Sequence, residues 1–240
     1  MLINYGVRPM NESLHVQTGL NGAGAVVSGR NRVLRNTYLL LAVSMLPTVL
    51  GAWFGVSTGI VNQLGVGISL IVFLAGAFGF MYAIERTKDS STGVWLLLAF
   101  TFFMGLMLSR MLSSILGFRN GPSLIMTAFG GTGVVFLAMA SLATVIKRDL
   151  SNMGKFLFVG ALVLMVAAIV NVFLQSTALM LTIAVLVILV FSAYMLYDIK
   201  RVIDGGETNY ISATLAIYLD IYNVFQGLLA ILGITGGERD

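Results

Sequence analysis

Residues 154–199 read GKFLFVGALVLMVAAIVNVFLQSTALMLTIAVLVILVFSAYMLYDI. Only Lys155 and Asp198 carry charge in this stretch, and its one run of polar residues is Gln175-Ser176-Thr177. Each half holds about 20 apolar residues, the length of an α-helix that crosses about 30 Å of hydrocarbon. Neither half alternates apolar and polar positions, so both read as helices rather than strands of a barrel. Two such helices joined by a very tight turn form a membrane hairpin. The fold class is therefore all-α, a polytopic integral membrane protein.

Working outward from this hairpin, seven apolar stretches are long enough to span. They lie near residues 37–57, 64–84, 94–116, 123–146, 154–174, 178–199 and 212–232. The remaining composition agrees with this reading. The chain has 240 residues, 58% of them hydrophobic and 10% charged, and its mean hydropathy is +0.95. A soluble domain carries about 25% charged residues, so this chain cannot make a polar shell. The absence of cysteine excludes disulfides, a thiolate nucleophile and Cys-ligated metal. His15 is the one histidine, which argues against His-based catalysis and poly-His metal sites. The formal charge of +4 does not point to nucleic acid, because the basic residues sit at the ends of apolar runs.

Those basic residues set an expected orientation. The amino-terminal tail and the second, fourth and sixth loops hold Arg8, Arg30, Arg32, Arg35, Arg86, Lys88, Lys147, Arg148, Lys155, Lys200 and Arg201. The other side holds Arg119 and Arg239. A bias of eleven to two places the amino terminus in the cytoplasm and, with seven spans, the carboxyl terminus outside. Residues 1–35 are rich in Gly, Asn and Ser and contain no signal-peptide pattern, so we expect a mobile cytoplasmic tail before a transmembrane domain at 36–240. Gly65, Gly67, Gly76 and Gly79 in the second span and Gly130, Gly131 and Gly133 in the fourth read as tight helix packing, with a hinge as the alternative.

Charge inside hydrocarbon costs about 2.5–3.5 kcal/mol on insertion scales, so intramembrane charges are functional candidates. Three lie well within spans: Arg110, Asp198 and Asp220. Asp198 stands near the end of the sixth span and Asp220 in the seventh. The short connection Asp204-Gly-Gly-Glu-Thr-Asn-Tyr210 makes the two helices antiparallel neighbours. Both acids fall roughly 8–12 Å from the same edge, so they can form a pair. Two carboxylates sharing a site cannot both ionise cheaply and would hold one proton between them. Fully ionised, they would attract a hard cation such as Ca²⁺. Tyr194 and Asn223 lie one turn away on the same faces. The plainer alternative is that each acid pairs separately with a base such as Arg201. Arg110 reads as a snorkelling side chain or as a charge in a pathway. Asn171 reads as an interhelical hydrogen-bond donor.

The same residues carry a family resemblance. Residues 197–225, YDIKRVIDGGETNYISATLAIYLDIYNVF, resemble the signature of the Bax inhibitor (transmembrane Bax-inhibitor-motif) family. RVLRNTY at 32–38, FGGT at 129–132 and KRDLS at 147–151 resemble its bacterial YccA-like branch. The resemblance implies a seven-helix bundle with the last helix central. It implies that Asp198 and Asp220 match the family's di-aspartyl pH sensor, with Arg86 as the matching latch. It further implies a pH-sensitive Ca²⁺ leak in the bacterial inner membrane, no enzyme activity, no bound cofactor, and the protease FtsH as partner. An intramembrane aspartyl protease, similar to presenilin, is a competing reading of Tyr197-Asp198. Against it, Ile217-Tyr-Leu219 precedes Asp220 where Gly-x-Gly would be required, and no Pro-Ala-Leu motif follows.

Overall fold

A computed structural model describes the backbone of residues 10–238 and the side chains of residues 31–238. Among the described residues the regular structure is entirely helical. In chain order the helices are α1 (Met10–Thr58), α2 (Ile60–Gln63), α3 (Gly65–Thr87), α4 (Ser91–Leu116), α5 (Gly121–Val145), α6 (Met153–Leu174), α7 (Thr177–Ile203) and α8 (Tyr210–Gly236). Seven of them carry stretches long and apolar enough to cross a membrane, α1 through its segment Asn31–Thr58. Five of the seven expected spans lie inside these helices, and the other two, 64–84 and 123–146, overrun α3 and α5 by one residue each.

The expected boundary between tail and bundle, at residues 35 and 36, falls inside α1 rather than at a helix end. Residues 1–9 of the expected tail lie outside those described, and residues 10–35 belong to α1.

Turn chemistry explains the breaks. Gly59 (φ 65°) and Gly65 (φ 69°) adopt the left-handed region that glycine tolerates, and they isolate the single turn α2 between α1 and α3. Gln175 closes α6 in the same left-handed conformation, and Ser176 caps α7 by accepting from the Leu179 N–H. The three-residue turn read from the sequence is therefore built as a left-handed stop followed directly by an N-cap.

Helices α1 and α4 pack closely, as do α7 and α8, and α8 also touches α5, α1, α4 and α3. Half of the most apolar stretch of α8 is buried, against 6% for α6. Helix α6 packs mainly on α7 and presents Phe156, Phe158, Val163 and Phe173 outward. In a membrane that surface meets lipid tails, so its exposure carries no hydrophobic penalty. The core joins Leu97, Phe100 and Met104 of α4 to Met195 and Ile199 of α7 and to Ile217, Tyr218 and Tyr222 of α8.

The closest backbone approaches between helices occur at glycines that the sequence did not single out. A Cβ on Gly51 would sit 2.1 Å from the Phe102 carbonyl oxygen, and one on Gly105 would sit 2.0 Å from that of Thr48. Helices α1 and α4 thus each supply a glycine at which the other's backbone approaches. By contrast, Gly67, Gly79, Gly130 and Gly133 have nothing within 4 Å of where a Cβ would stand. The tight-packing expectation fails for these four and for Gly65, which also has open space there, and holds for Gly76, against Phe103, and Gly131, near Leu228.

Gly105→Ala is expected to destabilise the bundle by about 1–3 kcal/mol, the range for overpacking a core. Gly133→Ala should stay within about 0.5 kcal/mol of the parent. Unfolding midpoints in mixed detergent–SDS micelles compare the two.

Candidate functional site

Helix α7 ends in the basic residues Lys200 and Arg201, which complement its C-terminal dipole. Lys200 is bonded to Asp204 at 2.6 Å. The chain then turns at Gly205 (φ 82°) and enters α8 through Asn209. The Asn209 Oδ1 accepts from the Ile211 and Ser212 N–H groups, which is an N-cap. Its Nδ2 donates to the Lys88 carbonyl at 3.0 Å and to Asp89 Oδ1 at 2.8 Å. Ser212 Oγ donates to Glu85 Oε2 at 3.2 Å. One asparagine and one serine therefore tie the start of α8 to the end of α3 and the loop that follows it.

Asp198 lies five residues before the end of α7, and Asp220 lies ten residues into α8, about 15 Å along its axis. Asp220 is deeper in its own helix than the sequence implied, because α8 begins at Tyr210 rather than near residue 212. Helices α7 and α8 pack closely against each other. The carboxyl groups of Asp198 and Asp220 lie close enough to act on each other directly, and two acids that share a hydrogen bond need a proton on one of them. Asp220 is 3% exposed, and its Oδ2 has no hydrogen-bond partner. Asp198 is half-buried.

A polar cleft of about 270 Å³ reaches Asp198, and Glu85, Lys88, Arg201, Glu207 and Ser212 also line it. Lys88 pairs with Glu85, and that bond holds its ammonium above the usual lysine range, so Lys88 remains charged. Arg201 Nη2 pairs with Glu207 Oε2 at 3.4 Å. Tyr218 and Tyr222 of α8 are buried in one core cluster with Phe100 and Met104 of α4. Tyr218 OH is bonded to Thr48 Oγ1 at 2.9 Å, and Tyr222 OH donates to the Met104 carbonyl at 3.1 Å.

The structure brings together some of the predicted residues and separates others. Asp198, Asp220 and Tyr194 are neighbours. Arg201 lines the cleft but spends its hydrogen bonds on Glu207 and the Gly206 carbonyl. Neither acid forms an ion pair among the described residues, so the reading in which each is separately neutralised by a base does not describe this arrangement. Arg86 does not line the cleft. Its Nε donates to Tyr82 OH and its guanidinium lies over the Tyr82 ring, 5.2 Å from the centroid. Asn223 donates to the Leu219 carbonyl of its own helix, and Asn171 accepts from the Ser176 N–H within its own hairpin. Arg110 is far from the cleft, near the other end of α4. Among the described residues no group of three or more His, Cys, Asp or Glu side chains could hold a metal. Ca²⁺ prefers six to eight oxygens, so the two acids alone do not make a closed Ca²⁺ cage.

Sequence reasoning missed Glu85, Lys88, Glu207, Asn209 and Ser212. Only Asn209 had a usable signal, a cap-forming residue immediately before an apolar periodic run.

These features define a class: a multi-pass membrane bundle with two acids from adjacent helices meeting at the floor of a polar cleft. The profile of the family described as "Inhibitor of apoptosis-promoting Bax1" matches residues 30–237. The chain belongs to that Bax inhibitor family. It is 36% identical to the "Modulator of FtsH protease YccA" of Escherichia coli over 208 residues, covering 87% of this chain and 92% of that one. A membrane protein of Vibrio cholerae is 39% identical over 208 residues, with 87% and 92% covered. A protein of Neisseria meningitidis serogroup A is 39% identical over 212 residues, with 87% and 93% covered. The Escherichia coli relative also carries the description "Inner membrane protein YccA" in a second strain. The present chain is a multi-pass inner-membrane protein of this family.

Asn209→Ala removes the cap of α8 and two ties to the α3–α4 loop. It should cost about 1 kcal/mol in helix stability and speed amide exchange at residues 85–91 and 210–214. Exchange mass spectrometry on protein in micelles checks this, with α6 as the unchanged reference.

Proposed function

We propose that this protein is a non-enzymatic, proton-regulated cation leak conduit, with Ca²⁺ as the permeant ion and the Asp198–Asp220 pair as its gate. The observation that supports this reading is the Asp220 carboxyl, buried with one oxygen unpartnered and set against Asp198 at the floor of the cleft. One proton shared by the pair keeps α7 and α8 together in hydrocarbon. Loss of that proton sets two like charges against each other where the dielectric is low, which separates the helices and exposes oxygen ligands to a cation. Lys88 and Arg201 are the cations that line the cleft at this gate, and Arg201 acts on Asp198 electrostatically. Helix α8 serves as the axis of the bundle. In the membrane the amino terminus faces the cytoplasm and the carboxyl terminus the periplasm, following the eleven-to-two basic bias.

In proteoliposomes loaded with a Ca²⁺ dye, the parent is expected to leak at rates that differ several-fold between pH 6 and pH 8. Asp220→Asn should give equal rates at the two values. A variant whose pH dependence matched the parent would remove the pair as gate.

A second reading is a regulatory partner of FtsH without transport. It is favoured by the Escherichia coli relative described as a modulator of that protease. Here the amino-terminal tail, residues 1–35, is the handle for an unfolding protease. Deleting residues 1–30 should slow FtsH-dependent turnover several-fold and leave membrane insertion unchanged. Equal half-lives in a pulse-chase experiment would count against the handle.

A further inference from the structure

The guanidinium of Arg110 sits in a membrane span without a counter-charge. Its Nη1 donates to Ser69 Oγ at 3.3 Å, and no carboxylate pairs with it among the described residues. Ser69 is itself engaged, because its hydroxyl donates to the Gly65 carbonyl at 2.7 Å and to that of Val61 at 3.2 Å. A neutral oxygen in that position orients the arginine but does not neutralise it. Arginine offers five N–H donors in a planar fork, and one is used here. The remaining donors match the paired oxygens of a phosphate.

Depth decides where such a phosphate comes from. Helix α4 has 26 residues, about 39 Å, against about 30 Å of hydrocarbon. Arg110 lies six residues from the end at Leu116, about 9 Å along the axis. With α4 centred in the bilayer, its Cα lies about 4–5 Å below the hydrocarbon boundary. An extended arginine reaches the lipid phosphate level from that depth. The neighbouring surface is open, since nothing lies within 4 Å of where a Cβ on Gly65 would stand. Gly65 is one turn before Ser69, on the same face of α3.

We propose that Arg110 and Ser69 form a seat for the phosphodiester of one glycerophospholipid, between α3 and α4 at the end of the bundle opposite the Asp198 cleft. The phosphate supplies the missing charge and two acceptor oxygens to the guanidinium fork. The acyl chains run down the exposed apolar surface of α3, which includes Ile68, Ile71 and Val72. This seat is independent of the aspartate pair and of any transport role.

The test is native mass spectrometry of the full-length protein, delipidated in detergent and titrated with dioleoylphosphatidylglycerol. Dioleoylglycerol and inorganic phosphate form separate arms. The parent should bind one phospholipid, with dioleoylglycerol and inorganic phosphate each at least tenfold weaker. Arg110→Gln should weaken phospholipid binding about tenfold or more, and Ser69→Ala several-fold. Arg110→Lys, which keeps the charge and loses the fork, should fall between the parent and Arg110→Gln. Affinity of Arg110→Gln and Ser69→Ala within twofold of the parent would overturn the proposal. Equal binding of dioleoylglycerol would overturn it in favour of an apolar groove. Equal binding of inorganic phosphate would overturn it in favour of a soluble-anion site.

Discussion

A polar group in hydrocarbon has no water to fall back on, and each polar feature of this protein is arranged around that constraint. Backbone groups are satisfied inside helices, which is why the described chain is helical. Hydroxyls within spans bond back to carbonyls of their own helix, as Thr37, Thr101 and Thr132 do. Two carboxyl groups remain that cannot be satisfied this way. Asp198 and Asp220 have each other, and one oxygen of Asp220 has nothing. The helix that carries Asp220 is fixed at its start by the polar closure around Asn209 and along its buried length by Tyr218 and Tyr222, which bond to Thr48 and to the Met104 carbonyl.

The two ends of the bundle treat charge differently. At the Asp198 end, three acids and two bases line a cleft open to solvent, and the pairs Lys88–Glu85 and Arg201–Glu207 bridge its wall. Such exposed pairs contribute little to stability in themselves. Their effect is positional, since Glu85 also accepts from Ser212 and Glu207 accepts from the Asn209 N–H. The end of α3 is thereby registered against the start of α8. At the opposite end a single guanidinium rests on a serine hydroxyl. An isolated charge there is compatible with insertion only because the lipid interface is within reach.

Close helix packing in lipid depends on shape rather than on apolar burial, because lipid tails are as apolar as leucine. The crossing of α1 and α4 shows this directly, with Gly51 against the Phe102 carbonyl and Gly105 against the Thr48 carbonyl. Large residues such as Trp53 and Trp95 are turned outward instead. The outward residues of α6 and α3 are solvated by the bilayer, so their exposure does not mark a missing partner.

What the sequence alone determined follows from length and composition. Seven spans were legible because a run of about 20 apolar residues has few other fates. The meeting of Asp198 with Asp220 was legible because a short loop forces α7 and α8 to be neighbours and two intramembrane acids must find company. Tertiary structure decided everything that depends on rotation about a helix axis. Arg86 lies one residue after Glu85, yet Glu85 faces the cleft and Arg86 lies on Tyr82, because successive helical residues point about 100° apart. The same rotation separates the glycines at the α1–α4 crossing from Gly67, Gly79, Gly130 and Gly133, where a side chain would find open space. Those facings are set by which neighbouring backbone comes near, and no local stretch of sequence contains that information.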